Sequence, residues 1–379
     1  MRRILLCITV LICAITSGAS AVVAADDEKE QALSFLRTLY HDRNQLILNG
    51  NPDTIAQYYN KADKLSRLAM RQEMRRSQYL QAWAEKRDMR LTEAEGDIRV
   101  TRFKLEGDKA RVSLIQSVKI AYQYNQEHHL PTQSFGVGTR HALTLRKLDN
   151  RWYVVKEWYL DPMDENPNLI PADSVKGFPK KTLTVQASAM MQSDAQSARP
   201  RRYNREKAVA YANKYAGAAW GAGNKGRYNP KYRDYTYVGG DCTNFASQVI
   251  GDSEEGGGLP MTGDWQYWYR SGGSHTWVQT DRLKNFLLYS GYGRLIAKGT
   301  FTQVVQPSDK HPQGAVAKLE PGDLIAYEMN GDVDHFSVVV GHDVNGYPLV
   351  NSHTADRYKM PFDLGWDKST KYLLIHIND

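Results

Sequence analysis

Cysteine is scarce in this chain: Cys7, Cys13 and Cys242 are the only three in 379 residues. The first two fall in a segment expected to be removed, so the mature chain keeps one thiol and can form no internal disulfide. Long apolar runs are lacking too, since Ile4 to Ile15 falls short of the roughly 20 residues a membrane span needs. No close-spaced ligand pair of the zinc type is present, and no aromatic-interleaved basic stretch marks a nucleic-acid motif. A metal site using Cys242, His335 and His353 is sterically imaginable but lacks that spacing, so no metal, cofactor or nucleic-acid partner is expected.

Residues 1–25 read as a secretory signal peptide: Arg2-Arg3 is the charged region, Ile4 to Ile15 the apolar one, and small residues follow from Ser17 to Ala21. Ala19-Ser20-Ala21 is the best cleavage match, with Val23 and Ala25 a second. A lipidated Cys13 is disfavoured by the bulky Ile12 before it. After cleavage no stable membrane span is expected, and the protein is placed outside the membrane, secreted or associated with the cell wall. Losing Arg2 and Arg3 takes the formal net charge from +7 to +5, a basic balance that holds an exported protein near anionic surfaces. Length and a 41% hydrophobic content allow two domains.

Residues 26–161 read as an α+β domain. Leu33, Leu36, Leu39 and Tyr40 recur at helical spacing, Asn49-Gly50-Asn51-Pro52 breaks the run, and Ile55 to Tyr59 and Leu65 to Trp83 resume it. From Asp97 the period becomes two, with strands at Ile98–Phe103, Ala110–Ala121, His141–Leu145 and Trp152–Val155 and turns at Gly107-Asp108 and Asp149-Asn150. In element order alone this part resembles the cystatin-like or nuclear-transport-factor-type cone fold. A spacer, chaperone-like prosegment or wall-targeting module is the expected role. His41, His128, His129 and His141 show no metal-ligand spacing. Residues 162–202, rich in proline and in Ala, Ser and Gln, read as an exposed linker, with a basic Arg201-Arg202 at its end.

The most chemically pointed stretch is Gly239-Gly240-Asp241-Cys242-Thr243-Asn244-Phe245-Ala246-Ser247-Gln248-Val249-Ile250. The glycine pair permits a tight turn, and Phe245, Ala246, Val249 and Ile250 have the spacing of a buried helix face, so Cys242 stands at a helix N-terminus. Free N–H groups and the helix dipole there favour thiolate, the nucleophilic form. A buried, inert thiol is the competing reading. Downstream, Pro321-Gly322-Asp323 turns into a strand, and Asp334-His335 opens a β-branched one. A histidine there can reach a thiol on a neighbouring helix. After Asn345-Gly346, Asn351 and His353 share one strand face, and cross-strand spacing of about 5 Å lets one of them orient His335. Trp265, Tyr267, Trp268, Tyr269 and Trp277 form either core or a groove wall; Asp241, Trp265, Trp268 and Trp277 are the substrate-binding candidates.

From Tyr203 to Asp379 the chain resembles the putative amidase domain family of secreted Gram-positive proteins, related in layout to CHAP and NlpC-type cell-wall hydrolases and to papain. The resemblance is carried by Tyr203-Asn204-Arg205, Gly240-Asp241-Cys242-Thr243-Asn244-Phe245-Ala246-Ser247-Gln248, Gly258-Leu259-Pro260-Met261, Trp277, Pro321-Gly322-Asp323-Leu324-Ile325, Asp334-His335 and Ser352-His353-Thr354. It implies a papain-like α+β domain over residues 203–379 and a Cys–His amide hydrolase. Cys242 would be the nucleophile, His335 the base, and Asn351 or His353 the third member. The expected substrates are peptidoglycan or other cell-wall peptides. An oxyanion hole would draw on the Cys242 N–H; the papain-style glutamine is missing, as Thr236 and Tyr237 stand in its place. The alternative is a non-catalytic cell-wall-binding module on the same fold.

Overall fold

The computed structural model describes residues 2–126, 130–163, 165–172 and 203–379. Helical spacing of apolar side chains buries Leu36, Leu39, Tyr40 and Ile47 along the first helix, Arg2–Asn49. Gly50, at φ +63°, ends it. After the short helix Asp53–Ala56, Asp63 caps the helix Lys64–Lys86 by accepting from the Ser66 N–H at 2.8 Å. Four antiparallel strands follow as a meander: Met89–Glu106, Lys109–Tyr124, Gln133–Leu148 and Arg151–Tyr159. Gly107 and Asp149-Asn150 supply the positive φ that their hairpin turns need.

The C-terminal half adds six strands, in spatial order Asp356–Pro361, Pro348–Ser352, Asp332–His342, Leu324–Met329, Lys371–Ile377 and Gly293–Thr300. The first of these pairs with the third strand of the meander, Gly138 opposite Asp356 and Gly136 opposite Tyr358. One ten-stranded sheet therefore runs through both halves. Glycine is required at the junction, because a Cβ on Gly136 would lie 1.9 Å from the Trp220 carbonyl oxygen and one on Gly138 2.5 Å from the Ala218 carbonyl carbon. The mixture of helix and antiparallel sheet is α+β, as expected.

The halves also share a core: Trp83 and Phe135 from one cluster with Phe301, Tyr327, Val350 and Phe362 from the other. Asp363 ties them, accepting from Arg87 at 2.7 Å and from the Trp83 indole at 3.0 Å. On the opposite face of the sheet a second core gathers Phe245, Val249, Trp265, Trp277 and Leu283. The stretch expected to be an exposed linker begins packed, with Met163 and Ile170 buried and the Leu169 carbonyl accepting from the Lys368 N–H at 2.8 Å. Its remainder from residue 173, including Arg201-Arg202, lies outside the described residues, as do His128 and His129. Two helices, His275–Val278 and Thr280–Tyr289, follow the aromatic cluster, separated because Gln279 is extended. No helix among the described residues is long and apolar enough to cross a membrane.

Candidate active site

Gly239 and Gly240 take φ +99° and +110°, values that side chains resist, and the chain turns through them into the helix Cys242–Gly251. Cys242 is its first residue. Asp241, one residue earlier, does not cap the helix with its side chain. Its carboxylate instead accepts from the Tyr235 N–H at 2.8 Å and the Asn244 amide at 2.9 Å, and meets His353 Nδ1 at 2.6 Å. With every such contact made inside the fold, Asp241 positions the turn and does not line a substrate surface.

Cys242 is 7% exposed. Burial pushes the Cys242 thiol up from its ordinary value; the Phe336 and Thr243 N–H groups and the Thr243 hydroxyl oppose that, while Asp241 adds to it. This corrects the expectation of a resting thiolate, since desolvation outweighs the helix N-terminus. His335 is pushed well below its ordinary value, first by burial and then by Arg357 and His353. Thiol and imidazole are thus both held neutral at rest. No hydrogen bond to the His335 ring forms among the described residues, and Nε2 is sealed from water.

Neither expected third member orients that ring. Asn351 lies opposite Val338, not His335; the register shift between Leu349 and Val350 moves it there from Val339 and so off the strand face that His335 shares. Its amide donates to the Ala212 carbonyl and the Asn213 side chain, both at 3.0 Å, and its oxygen accepts from the Lys359 N–H at 2.6 Å. His353 lies beyond the strand end, stacked between Tyr228 at 3.7 Å and Phe245 at 3.9 Å. Its ring bridges Asp241 and the Tyr215 carbonyl, the latter at 2.6 Å, so both nitrogens are taken. It fastens the helix start to the sheet.

The oxyanion expectation also needs correction. Thr354 Oγ1 accepts from the N–H groups of Asp241 at 2.7 Å and Cys242 at 3.2 Å, and so occupies the donor that an oxyanion would use. Thr354 holds φ +81°, an outlier for a β-branched residue and worth about 1–3 kcal/mol of strain. Of the tryptophans, Trp265 and Trp277 are fully buried and stack on each other at 5.0 Å, with their N–H groups given to Ser247 and Asn244. They are core, because aromatic area buried there packs the cysteine helix. Of the three candidate tryptophans only Trp268 is open, at 47% exposure on a short hairpin.

Sequence reasoning missed Arg357. It is 4% exposed, sits 5.2 Å from the Trp366 ring, and acts electrostatically on His335. No signal marked it; it lies in the strand Asp356–Pro361, whose Asp356 turns away to Arg140 and Tyr228. No group of three His, Cys, Asp or Glu residues among the described residues is arranged to hold a metal.

Comparison with known proteins matches residues 202–375 to the family model described as "Putative amidase domain". An uncharacterised protein of Bacillus subtilis (strain 168), YhbB, is 29% identical over 214 residues, covering 54% of this chain and 59% of that protein's length. Two solved structures are similar: an NTF-2 like protein of unknown function from Shewanella oneidensis MR-1 and a protein of unknown function from Mycobacterium tuberculosis. The first is 13% identical, covers 34% of this chain and 99% of its own and has a TM-score of 0.21; the second is 15% identical, covers 45% and 90%, and scores 0.24.

Proposed function

We propose that the protein is an exported cysteine hydrolase that cuts amide bonds in cell-wall peptides, with Cys242 as nucleophile and His335 as base and acid, a reading supported by the match of residues 202–375 to the family model described as "Putative amidase domain". The observation that supports this reading is that Cys242 opens a helix packed on the strand Asp332–His342, which carries His335. With thiol and imidazole neutral at rest, His335 takes the Cys242 proton as sulfur attacks the carbonyl carbon. It returns that proton to the amine as the C–N bond breaks, and water then hydrolyses the thioester to the free acid. Attack requires Thr354 to yield the Cys242 N–H to the oxyanion, or an oxyanion site built from other donors.

A peptide of the bacterial wall is the substrate proposed; the leader-like residues 1–25 and the basic charge support a setting at an anionic surface outside the membrane. A second reading, a wall-binding module without turnover, is favoured by one observation: the occupied Cys242 N–H. Incubation of purified peptidoglycan with wild type, Cys242→Ala and His335→Ala separates them. New amine ends from wild type alone support the hydrolase; equal retention of all three on the wall without new ends supports the module.

A further inference from the structure

Four arginines are buried among the described residues, and three of them have a carboxylate. Arg43 pairs with Glu157, Arg76 with Asp161 at 3.4 Å, and Arg87 with Asp363 at 2.7 Å. Arg357 forms no ion pair or hydrogen bond among the described residues, and its Nε is sealed from water. A guanidinium in that state is costly, because burial takes away its hydration and nothing replaces it. The neighbouring carboxylates are already engaged, Asp356 with Arg140, Tyr228 and the Ala218 N–H, and Asp363 with Arg87, Trp83 and Tyr347.

The company Arg357 keeps is of one chemical kind. Ser352, its cross-strand partner, has an unpartnered buried hydroxyl. So does Ser337, two residues after His335 and hence on the same strand face. The Trp366 indole N–H, on the ring over which Arg357 lies, is unpartnered too, and that ring is 5.6 Å from His335. Guanidinium and indole N–H only donate, and the serine hydroxyls donate as well as accept; the Tyr327 hydroxyl lies near Ser337 and Trp366, but no carboxylate or carbonyl among the described residues answers Arg357. Beside Cys242 and His335, the missing acceptor is supplied by what enters to react.

We propose that Arg357, with Ser337, Ser352 and Trp366, receives a carboxylate of the substrate, so that the enzyme selects amides with a free carboxylate close to the scissile bond. This rests on the hydrolase reading and narrows it to peptides cut beside a terminal residue or at a side-chain-linked amide that leaves the α-carboxylate free.

Two small alkylators of Cys242 test the point. Iodoacetate carries a carboxylate and iodoacetamide does not, and peptide-level mass spectrometry reads the rate at Cys242 in the full chain. The expected iodoacetate-to-iodoacetamide rate ratio is about tenfold higher in the folded protein than in the urea-unfolded chain, the effect of one charge-assisted hydrogen bond. Arg357→Gln should bring the ratio down to the unfolded value, and Arg357→Lys should restore part of it. Equal ratios in folded and unfolded wild type, with iodoacetamide reacting normally, would overturn the carboxylate site and leave the nucleophile standing. Inertness of folded Cys242 to both reagents would instead sink the hydrolase reading. A second measurement then decides alone: sodium acetate, against sodium chloride of the same ionic strength, should raise the thermal midpoint of wild type and not of Arg357→Gln. No rise in wild type overturns the proposal.

Discussion

The two halves of the molecule each bury a cluster of charged and polar side chains, and the clusters differ in what they leave open. In the N-terminal half Arg43 donates to Tyr59 at 2.6 Å and to Glu157 Oε1 at 2.9 Å. His141 sits between Glu157 at 2.8 Å and Thr139 at 2.7 Å, and Tyr159 donates to Glu73 at 2.5 Å. Burial pushes the Glu157 carboxyl up, but Arg43 and His141 hold it well below the usual range. Arg76 in this cluster keeps Nε and Nη2 without a hydrogen bond but has the Asp161 carboxylate at 3.4 Å. Beside Cys242, by contrast, His335, Arg357, Ser337, Ser352 and Trp366 each keep a buried polar atom without a partner, and Arg357 has no ion pair among the described residues. A network whose charges are paired fixes one conformation; an unpaired guanidinium next to a thiol is a candidate for contact with a reactant. The buried histidine and arginine of the first cluster are therefore structural, although they match the second in residue type.

Opposite responses to the same change would sharpen this contrast. Arg43→Met strands Glu157 in the core and should destabilise the protein by about 3–5 kcal/mol in urea unfolding. Arg357→Met strands nothing and removes an unpaired buried charge, so stability in the same assay should hold or rise, by at most about 1 kcal/mol. A loss as large as that of Arg43→Met would break the comparison.

The pH dependence gives a smaller effect with a definite sign. Burial depresses both His335 and His141. Below the model-peptide value of about 6.5 the unfolded chain takes up protons that the native state refuses, so stability is complete above that pH and falls as pH drops towards the folded values. His335→Gln should lessen the slope by about 1.4 kcal/mol per pH unit, leaving the His141 contribution. An unchanged slope between pH 6 and 5 would mean that His335 is charged in the folded state. Smallest of all, Trp268→Ala should move the urea midpoint by less than about 0.5 kcal/mol, as expected for an exposed ring.

Much of this was legible in the residues. Period-two alternation marked the four strands of the meander, the glycine pair and apolar spacing placed Cys242 at a helix start, and β-branched residues placed His335 on a strand. The third-member assignment failed because one register shift beside Val350 moves Asn351 opposite Val338, and a bulge leaves no mark in side-chain alternation. Trp265 and Trp277 were ambiguous since aromatic rings suit a core as well as a groove. The joining of the halves was hidden: nothing in the residues singled out Gly136 and Gly138, yet they lie on the edge along which Asp356–Pro361 pairs. Arg357 was invisible because a charged residue is ordinarily solvated, and only its missing partner sets it apart.

The central claim is that the Cys242–His335 pair hydrolyses an amide. Its most direct test is mass spectrometry of purified peptidoglycan after incubation with wild type and Cys242→Ala, in water enriched in oxygen-18. Hydrolysis through Cys242 predicts new carboxyl ends carrying the heavy oxygen with wild type and none with the variant. Equal labelled ends from both proteins, or none from either while both bind the wall, would contradict it.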